Sequence, residues 1–268
     1  MESELHPSPL IPLSQGQLNL LDTCPRKFQH VYLEQLGTPV SPEQQERLTW
    51  GSRFHLLMQQ RELGLPVKSL VEEDTELQHW VTALINAASD VLTPDPETFR
   101  ESEHCRTLNF QGYLLTVIYD LLIEDEENAQ ILDWKTYPLP KNRQWLVQDW
   151  QTRLYLYVLA ETSDYVAEQI SMTYWFVKSQ PCPQSLKFPY NAAQHQKTRQ
   201  DLTKRLTQLT GWLQRYQDKG IDFPQVAEST GRCHDCTFAV RCQRTPESLM
   251  NSTRDLLPNV VDIQEVSI

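Results

Sequence analysis

The hydrophobic positions in the first third of the chain recur at helical spacing. From Ser14 to Leu36 apolar residues recur every three or four positions, and Cys24-Pro25 interrupts the pattern midway. Two further stretches, about Pro42 to Leu63 and about Glu72 to Val91, have the same period and stop near glycine or proline. The pattern therefore predicts a helical N-terminal part, residues 14–94.

The pattern then changes to runs of residues typical of strands. Three runs rich in β-branched and aromatic residues, with turn residues between them, predict an antiparallel meander. These runs are His104 to Phe110, Tyr113 to Ile123 and Ala129 to Thr136. The elements predicted after them are a helix at Gln144 to Ala160, strands at Gln169 to Lys178 and Ser185 to Tyr190, and a helix at Ala192 to Gln217. This order indicates a mixed α/β domain with a helical cover.

Length and composition are consistent with a folded globular protein. The chain has 268 residues, 40% of them hydrophobic, which fits one large domain or two small ones. We expect a catalytic core at 97–219, a cysteine-bearing loop at 223–244 and an irregular polar tail at 245–268. No run approaches the ~20 apolar residues of a membrane span, and the start lacks a secretory signal pattern. We therefore expect a soluble, cytoplasmic protein.

Two aspartates lie at equal distances from a predicted hairpin tip at Glu126-Glu127. Asp120 and Asp133 should therefore face each other on neighbouring strands, with Cβ atoms about 5 Å apart. Two carboxylates this close repel by roughly 3 kcal/mol at an effective dielectric of 20, and a divalent cation between them would remove that penalty. Lys135 shares the face of Asp133, whereas Trp134 points into apolar packing. Such a set favours Mg²⁺ or Mn²⁺, with a solvated acidic hairpin as the alternative.

Two helical motifs add candidate residues. Gly51 and His55 lie four positions apart in a predicted helix, and Gln151 and Tyr155 have the same spacing on a later helix. Taken separately, a packed core histidine and a surface Gln–Tyr pair are the commoner explanations.

Four of the six cysteines form a pattern that suits a metal. Cys233, Cys236 and Cys242 fall within ten residues, and Cys24 stands 209 positions before Cys233. Without a secretory signal, such thiols indicate metal binding or catalysis rather than disulfides. Four thiolates suit either an iron–sulfur cluster or a tetrahedral zinc. A single CxxC pair with a remote fourth cysteine favours iron and sulfur, and unrelated thiols are the third alternative.

Other residues near these thiols bear on the choice of metal. His30 and His234 could each replace a cysteine, which keeps zinc as an alternative. Cys105 and Cys182 lie in or beside predicted strands, and we expect both to be buried, unreactive thiols.

Taken in order, these motifs resemble the RecB-like branch of the PD-(D/E)XK nuclease superfamily, in particular members that carry an iron–sulfur cluster. The CRISPR-associated spacer-acquisition exonuclease and the AddB nuclease domain have a similar motif order. The shared order, from about Ser14 to Arg244, is Cys-Pro-Arg-Lys-Phe, Gly-x3-His, Asp, Asp-x-Lys-Thr, Gln-x3-Tyr and Cys-x2-Cys-x5-Cys. The resemblance implies a nuclease domain at 14–244 with a restriction-endonuclease-like α/β fold, a central mixed sheet flanked by helices and a cysteine-ligated C-terminal loop.

The resemblance also implies a role for each motif residue. The implied metal ligands are His55, Asp120 and Asp133. The implied catalytic residues are Asp120, Asp133, Lys135, Gln151 and Tyr155, the last two of which position the lysine and the DNA strand. The implied ligands of a 4Fe-4S cluster are Cys24, Cys233, Cys236 and Cys242.

The function implied is that of a metal-dependent deoxyribonuclease using Mg²⁺ or Mn²⁺, an exonuclease on strand ends or single-stranded DNA in repair, recombination or CRISPR adaptation. A helicase or a CRISPR adaptation protein is the expected partner. One alternative is a catalytically silent DNA- or helicase-binding module with a structural metal site, and another is a zinc-stabilised interaction protein.

The net charge of −11 argues against a protein whose whole surface coats nucleic acid, but it is compatible with a local cationic channel. The basic residues that flank the motifs and predict such a channel are Arg26, Lys27, Arg53, Lys141, Arg143 and Arg153.

Overall fold

The computed structural model describes residues 10–37, 40–67 and 74–244. The predicted tail at 245–268 and the first two residues of the helix predicted from Glu72 lie outside the described residues. The chain divides into two compact units: a sheet unit, Met1–Asn19 with Pro39–Gly211, and a cysteine unit, Leu20–Thr38 with Trp212–Ile268. In the part of the chain that is described, no helix combines the length and the apolar character needed to cross a bilayer.

The N-terminal helices begin at residues suited to capping. The elements are β1 (Ile11–Leu13), α1 (Gln15–Thr23), α2 (Pro25–Phe28), a π-helical turn (Gln29–Leu33), α3 (Pro42–Glu62), α4 (Thr75–Ala87) and α5 (Ser89–Leu92). The first predicted helix is divided at Cys24-Pro25: Cys24 is extended, and Pro25 begins α2. At this first helical position the missing N–H of proline leaves no hydrogen bond unmade. The side chains of Ser41 and Asp74 cap α3 and α4 by accepting from backbone N–H groups.

The sheet is mixed, and β3 pairs with three other strands. Its remaining strands are β2 (Phe99–Phe110), β3 (Tyr113–Glu124), β4 (Ala129–Lys135), β5 (Ile170–Phe176) and β6 (Gln184–Pro189). Strand β3 pairs antiparallel with β2 along one side, and with β1 (parallel) and β4 (antiparallel) along the other. Strand β4 pairs parallel with β5, which pairs antiparallel with β6. The predicted meander is confirmed, although β2 begins five residues before the predicted start.

The helix predicted from Gln144 to Ala160 is interrupted. The structure has α6 (Gln144–Gln148) and α7 (Trp150–Glu161), followed later by the long α8 (Ala192–Lys219). Asp149 leaves helical geometry with ψ 138, and its side chain caps α7 by accepting from the N–H of Gln151. Asn19 stabilises this break because its side chain binds both Asp149 and the N–H of Trp150. The break places Gln151 in the first turn of α7.

Helices cover both faces of the sheet. Helices α3, α4 and α5 pack against one face in an apolar cluster that includes Phe54, Leu84, Leu132, Trp134 and Trp175. On the other face, α7 is anchored by hydrogen bonds from Tyr119 to the carbonyl of Tyr155 and between Thr152 and Tyr174. As predicted, Trp134 lies in the apolar cluster and the neighbouring Asp133 and Lys135 face α7. The fold is therefore the predicted α/β arrangement, a central mixed sheet flanked by helices.

Within the cysteine unit, one buried amide joins segments that are far apart in sequence. The side chain of Gln29 accepts from the N–H of Phe223 at 2.6 Å and donates to Asp222 at 2.8 Å and to Glu34 at 2.6 Å. Gln29 is fully buried, and the rings of Phe28 and Phe223 stack beside it. Because every polar atom of this amide is paired, the residues around positions 29 and 223 are fixed to each other.

We expect Gln29→Ala to loosen this junction. The substitution leaves the buried N–H of Phe223 without its partner, a local cost of roughly 2 kcal/mol, or about 30-fold faster amide exchange. Hydrogen-exchange mass spectrometry of peptides containing Phe223 measures this exchange rate directly. The control is Gln45→Ala, on an exposed turn of α3. Equal protection of Phe223 in the wild type and in Gln29→Ala would contradict this role.

Candidate active site

Three carboxylates form a row across three neighbouring strands. The β3–β4 ladder ends with the pair Leu121 and Leu132, and Asp120 and Asp133 are the residues that follow this pair on the two strands. The β2–β3 register pairs Ser102 with Leu121 and His104 with Tyr119, which places Glu103 opposite Asp120 on its other side. Glu103 has a left-handed backbone, φ 53, in the middle of β2. The row therefore runs from Glu103 through Asp120 to Asp133.

Asp120 is held by two donors. Its Oδ2 accepts from the backbone N–H of Trp134 at 2.6 Å, and its Oδ1 lies 3.2 Å from His55 Nδ1. His55 reaches this position because α3 comes very close to the end of β4. A Cβ atom on Gly51, one helical turn before His55, would lie only 3.3 Å from Thr136 Oγ1. The Gly-x3-His spacing thus allows the helix to approach and brings the imidazole to the carboxylate.

Asp133 is buried in a network of three polar side chains. Its Oδ1 lies 2.6 Å from Lys135 Nζ, and its Oδ2 accepts from Gln151 Nε2 at 2.6 Å. Gln151 completes the network because its Oε1 accepts from Lys135 Nζ at 2.6 Å. The ammonium of Lys135 also lies 4.6 Å from the ring centre of Tyr174. Gln151 therefore fixes the lysine and the aspartate relative to each other.

The close charges displace the pKa values of the site. Burial, and then the negative charge of Asp120, raise the pKa of Asp133 above that of an ordinary aspartate, although Lys135 opposes the change. Burial would lower the pKa of His55, but the hydrogen bond and charge of Asp120, with further help from Asp133 and Glu103, raise it to about 8. Burial likewise opposes ionisation of Lys135, but Asp133 outweighs it and raises the lysine pKa. Lys135 is therefore a fixed positive charge at neutral pH.

Tyr155 lies buried next to this network. Its hydroxyl accepts from Gln15 Nε2 at 3.2 Å, and its ring packs edge-on against Tyr119. Burial and the charges of Asp133 and Asp120 raise its pKa well above the usual value, so the phenol stays neutral. The structure thus places all six predicted residues of the site in the sheet unit and on one cavity.

Glu103 belongs to this group and does not appear among the sequence candidates. Single ligand atoms of His55, Glu103 and Asp120 lie within 4.8 Å of one another, which makes the three a candidate metal group. Burial, and then the charge of Asp120, raise the pKa of Glu103. The signal was present in the sequence, because Glu103 and Asp120 are equidistant from the turn at Gln111-Gly112.

The site opens into a cavity of about 760 Å³. Its lining includes the three acids, His55, Lys135, Gln151 and Tyr155, together with Arg47 of α3. None of the six basic residues of the predicted channel, all of which are described, contributes to this lining. Arg26, Arg53 and Arg153 are instead paired with Asp222, Asp74 and Asp201, respectively. The DNA channel stays a prediction, and Arg47 is the cation that the sequence did not single out.

The four cysteines of the predicted cluster lie together in the cysteine unit. Burial raises the pKa of the Cys233 thiol, and so do the neighbouring Cys24 and Cys236. Burial also raises the pKa of Cys242, which interacts electrostatically with the other three cysteines. His30, which we considered as a substitute ligand, is buried with Nε2 3.6 Å from Cys242 Sγ and Nδ1 2.8 Å from Glu34. His234 is exposed, with its ring next to Asp235.

The expectation that Cys105 and Cys182 are buried is wrong. Both side chains are exposed. Cys105 lies on β2, whose odd-numbered residues around it face solvent, and Cys182 lies in the loop before β6. A position in or near a strand predicts burial only when both faces of the strand are covered there.

Comparisons with known proteins match this chain to a protein family and to solved structures. A family model described as the PD-(D/E)XK nuclease superfamily matches residues 12–243. The crystal structure of a "Putative exonuclease" from Eubacterium rectale is 12% identical, covers 90% of this chain and 92% of its own, and has a TM-score of 0.51. The crystal structure of SSO0001 is 14% identical, with coverage of 88% and 87% and a TM-score of 0.37. A search of curated proteins finds no match.

At such low identity, the likeness to the Eubacterium rectale protein supports the fold alone. The family match is more informative, because it spans the sheet, the acidic row, the lysine and the cysteines in one segment. On this match, the chain belongs to the PD-(D/E)XK nuclease superfamily.

Proposed function

We propose that this protein is a metal-dependent deoxyribonuclease that hydrolyses the phosphodiester bonds of single-stranded DNA or of strand ends. The observation that carries the proposal is the meeting of Asp120, Asp133 and Lys135 on one cavity, with Gln151 bonded to both Asp133 and Lys135. Membership of a nuclease superfamily supplies the reaction class.

The donors around Asp120 fit a hard divalent cation. His55, Glu103 and Asp120 offer one imidazole and two carboxylates within a small volume, and Asp133 is the next carboxylate in the row. Oxygen-rich sets of this kind suit Mg²⁺ or Mn²⁺. When bound, the cation supplies Lewis-acid stabilisation of the phosphate and a lower pKa for the attacking water. We assign His55, Glu103, Asp120 and Asp133 as the residues that would hold it.

Lys135 supplies positive charge to the reacting phosphate. Its raised pKa keeps it protonated, so it stabilises negative charge that develops on the phosphate oxygens and does not remove a proton. Gln151 holds the ammonium in place through a 2.6 Å hydrogen bond. Tyr155 remains a neutral hydroxyl that can donate to a DNA strand or to a neighbouring side chain.

The main rival is a DNA- or helicase-binding module with this fold that does not cut. Such a module has no need for a buried carboxylate paired with a buried lysine, an arrangement that is costly to desolvate. The complete set of Asp120, Asp133 and Lys135 therefore favours catalysis. A helicase or CRISPR adaptation partner, a role in repair or recombination and a cytoplasmic location stay predictions.

We assign the four cysteines as ligands of a 4Fe-4S cluster. The four thiols lie close enough to interact electrostatically, which is compatible with one metal group bonded to all of them. The single CxxC pair with a remote fourth cysteine favours an iron–sulfur cluster, with a tetrahedral zinc as the alternative.

Loss of either charged partner should stop cutting. We expect Asp120→Asn and Lys135→Ala each to reduce cleavage of end-labelled single-stranded DNA in Mn²⁺ by at least about 100-fold, because each removes a group that stabilises the transition state. Lys187→Ala, on an exposed position of β6, is the matched control. Circular dichroism checks the fold. Cleavage within tenfold of the wild type in either variant would exclude that residue from catalysis.

Glu103 should weaken the metal-free protein and stabilise the metal-bound one. The pKa of Glu103 is raised in the folded protein, so the folded state favours the protonated carboxyl. The free energy of unfolding therefore falls as the pH rises, and at pH 8 the ionised Glu103 destabilises the metal-free protein. Glu103→Gln should therefore raise the melting temperature in EDTA slightly, on the order of 1 °C, and diminish the increase caused by Mn²⁺. Glu101→Gln, on the same strand, is the control. An unchanged Mn²⁺-induced increase in Glu103→Gln would remove Glu103 from the ligand set.

The cluster assignment makes a visible prediction. Anaerobically purified wild-type protein should be brown, and Cys24→Ala should be colourless with early proteolysis near both termini. Closing a loop of about 209 residues restricts the unfolded chain by roughly 5 kcal/mol by analogy with disulfides, comparable to a domain's net stability. Cys105→Ala and Cys182→Ala should keep the colour. Full iron content in Cys24→Ala would place the fourth ligand elsewhere, and stoichiometric zinc without iron would support the alternative.

A further inference from the structure

Three apolar side chains line the wall of the active-site cavity and are exposed. Leu48 and Leu56 of α3 are 53% and 51% exposed, and Ile118 of β3 is 47% exposed. All three line the same cavity as the acidic row. Single exposed apolar residues are ordinary, but three of them around one highly polar site form a patch that suits an apolar part of a ligand.

The positions of these residues suit a chain of several nucleotides. Leu48, Ser52 and Leu56 follow each other at intervals of four, so they form one row on the surface of α3. The two leucines are eight residues apart, about 12 Å along the helix axis, which is the length of roughly three stacked bases. Ile118 lies two residues before Asp120 on β3. We call Leu48, Leu56 and Ile118 the apolar rim.

The charges of the cavity indicate how a nucleic acid can bind there. Among the described residues, its lining has three carboxylates, Glu103, Asp120 and Asp133, against the cations Arg47 and Lys135 and the titratable His55. Lys135 is already bonded to Asp133 and Gln151. Phosphate contacts are therefore few in this cavity. Contacts with the faces of bases could supply the missing affinity, and only unpaired bases present their faces, because a duplex covers them by stacking.

We propose that the apolar rim contacts the bases of unpaired nucleotides and selects single-stranded DNA over duplex at this site. The proposal rests on the proposed nuclease function and names the substrate feature that the cavity recognises. Aliphatic side chains of duplex-binding proteins reach base faces only by unstacking a base step, which costs a few kcal/mol, whereas an unpaired base offers its face without that cost.

Binding in EDTA tests this inference separately from cutting. Fluorescence anisotropy at low salt compares labelled oligothymidine with a blunt hairpin duplex. Leu48→Ser, Leu56→Ser and Ile118→Ser should each lower the single-strand affinity about fivefold and leave the duplex affinity unchanged. Leu63→Ser is the matched control, because Leu63 is 65% exposed just beyond α3 but does not line the cavity.

A strand of abasic sites with the same number of phosphates distinguishes bases from charge. The triple variant combines Leu48→Ser, Leu56→Ser and Ile118→Ser. The wild type should bind the abasic strand as weakly as the triple variant binds oligothymidine. The triple variant should bind the abasic strand and oligothymidine with equal affinity. Equal wild-type affinity for both strands, an equal loss in Leu63→Ser, or no single-strand binding by the wild type would each overturn the proposal. Rim-dependent binding without cleavage in Mg²⁺ or Mn²⁺ would refute the nuclease and leave base recognition in place.

Discussion

The mutual repulsion of Glu103, Asp120 and Asp133 is the constraint on which the site depends. The pairing of β2, β3 and β4 brings these carboxylates close together, and the neighbouring polar groups reduce the free-energy cost of their repulsion. His55 and the N–H of Trp134 bind Asp120, whereas Lys135 and Gln151 bind Asp133. Burial and then the charge of Asp120 raise the pKa of Glu103, and the nearby His55 offsets them only in part. A divalent cation is the group that would complete the compensation.

The sequence predicts this site where local geometry is sufficient. Strand alternation and the distance from the hairpin tip predict that Asp120 faces Asp133, with Lys135 on the same face. In the structure the β3–β4 ladder ends one pair earlier, at Leu121 and Leu132, and all three side chains line one cavity. The same arithmetic around Gln111-Gly112 leads to Glu103, but the predicted strand begins one residue too late to include it. Hydrophobic periodicity also gave no sign of the break before α7, because that break depends on a capping Asp149 and on Asn19, 130 residues away.

Contacts between residues that are far apart in the sequence could not be predicted from it. The cysteine spacing suggests that Cys24 meets the C-terminal loop, yet it gives no reason to choose Gln29 as the residue that holds Phe223 and Asp222. A buried amide has no periodicity, and two of its three partners, Asp222 and Phe223, lie more than 190 residues away. The prediction that Cys105 is buried fails for a similar reason, because a single sequence does not show which face of an edge strand is left uncovered.

Anomalous diffraction from crystals grown with Mn²⁺ tests most directly whether the acidic row binds a divalent cation. We expect a manganese peak within about 2.3 Å of a carboxylate oxygen of Asp120, with His55 and Glu103 as further ligands. A fully occupied Mn²⁺ elsewhere, with Asp120 still bonded only to His55 and to the N–H of Trp134, would contradict the claim.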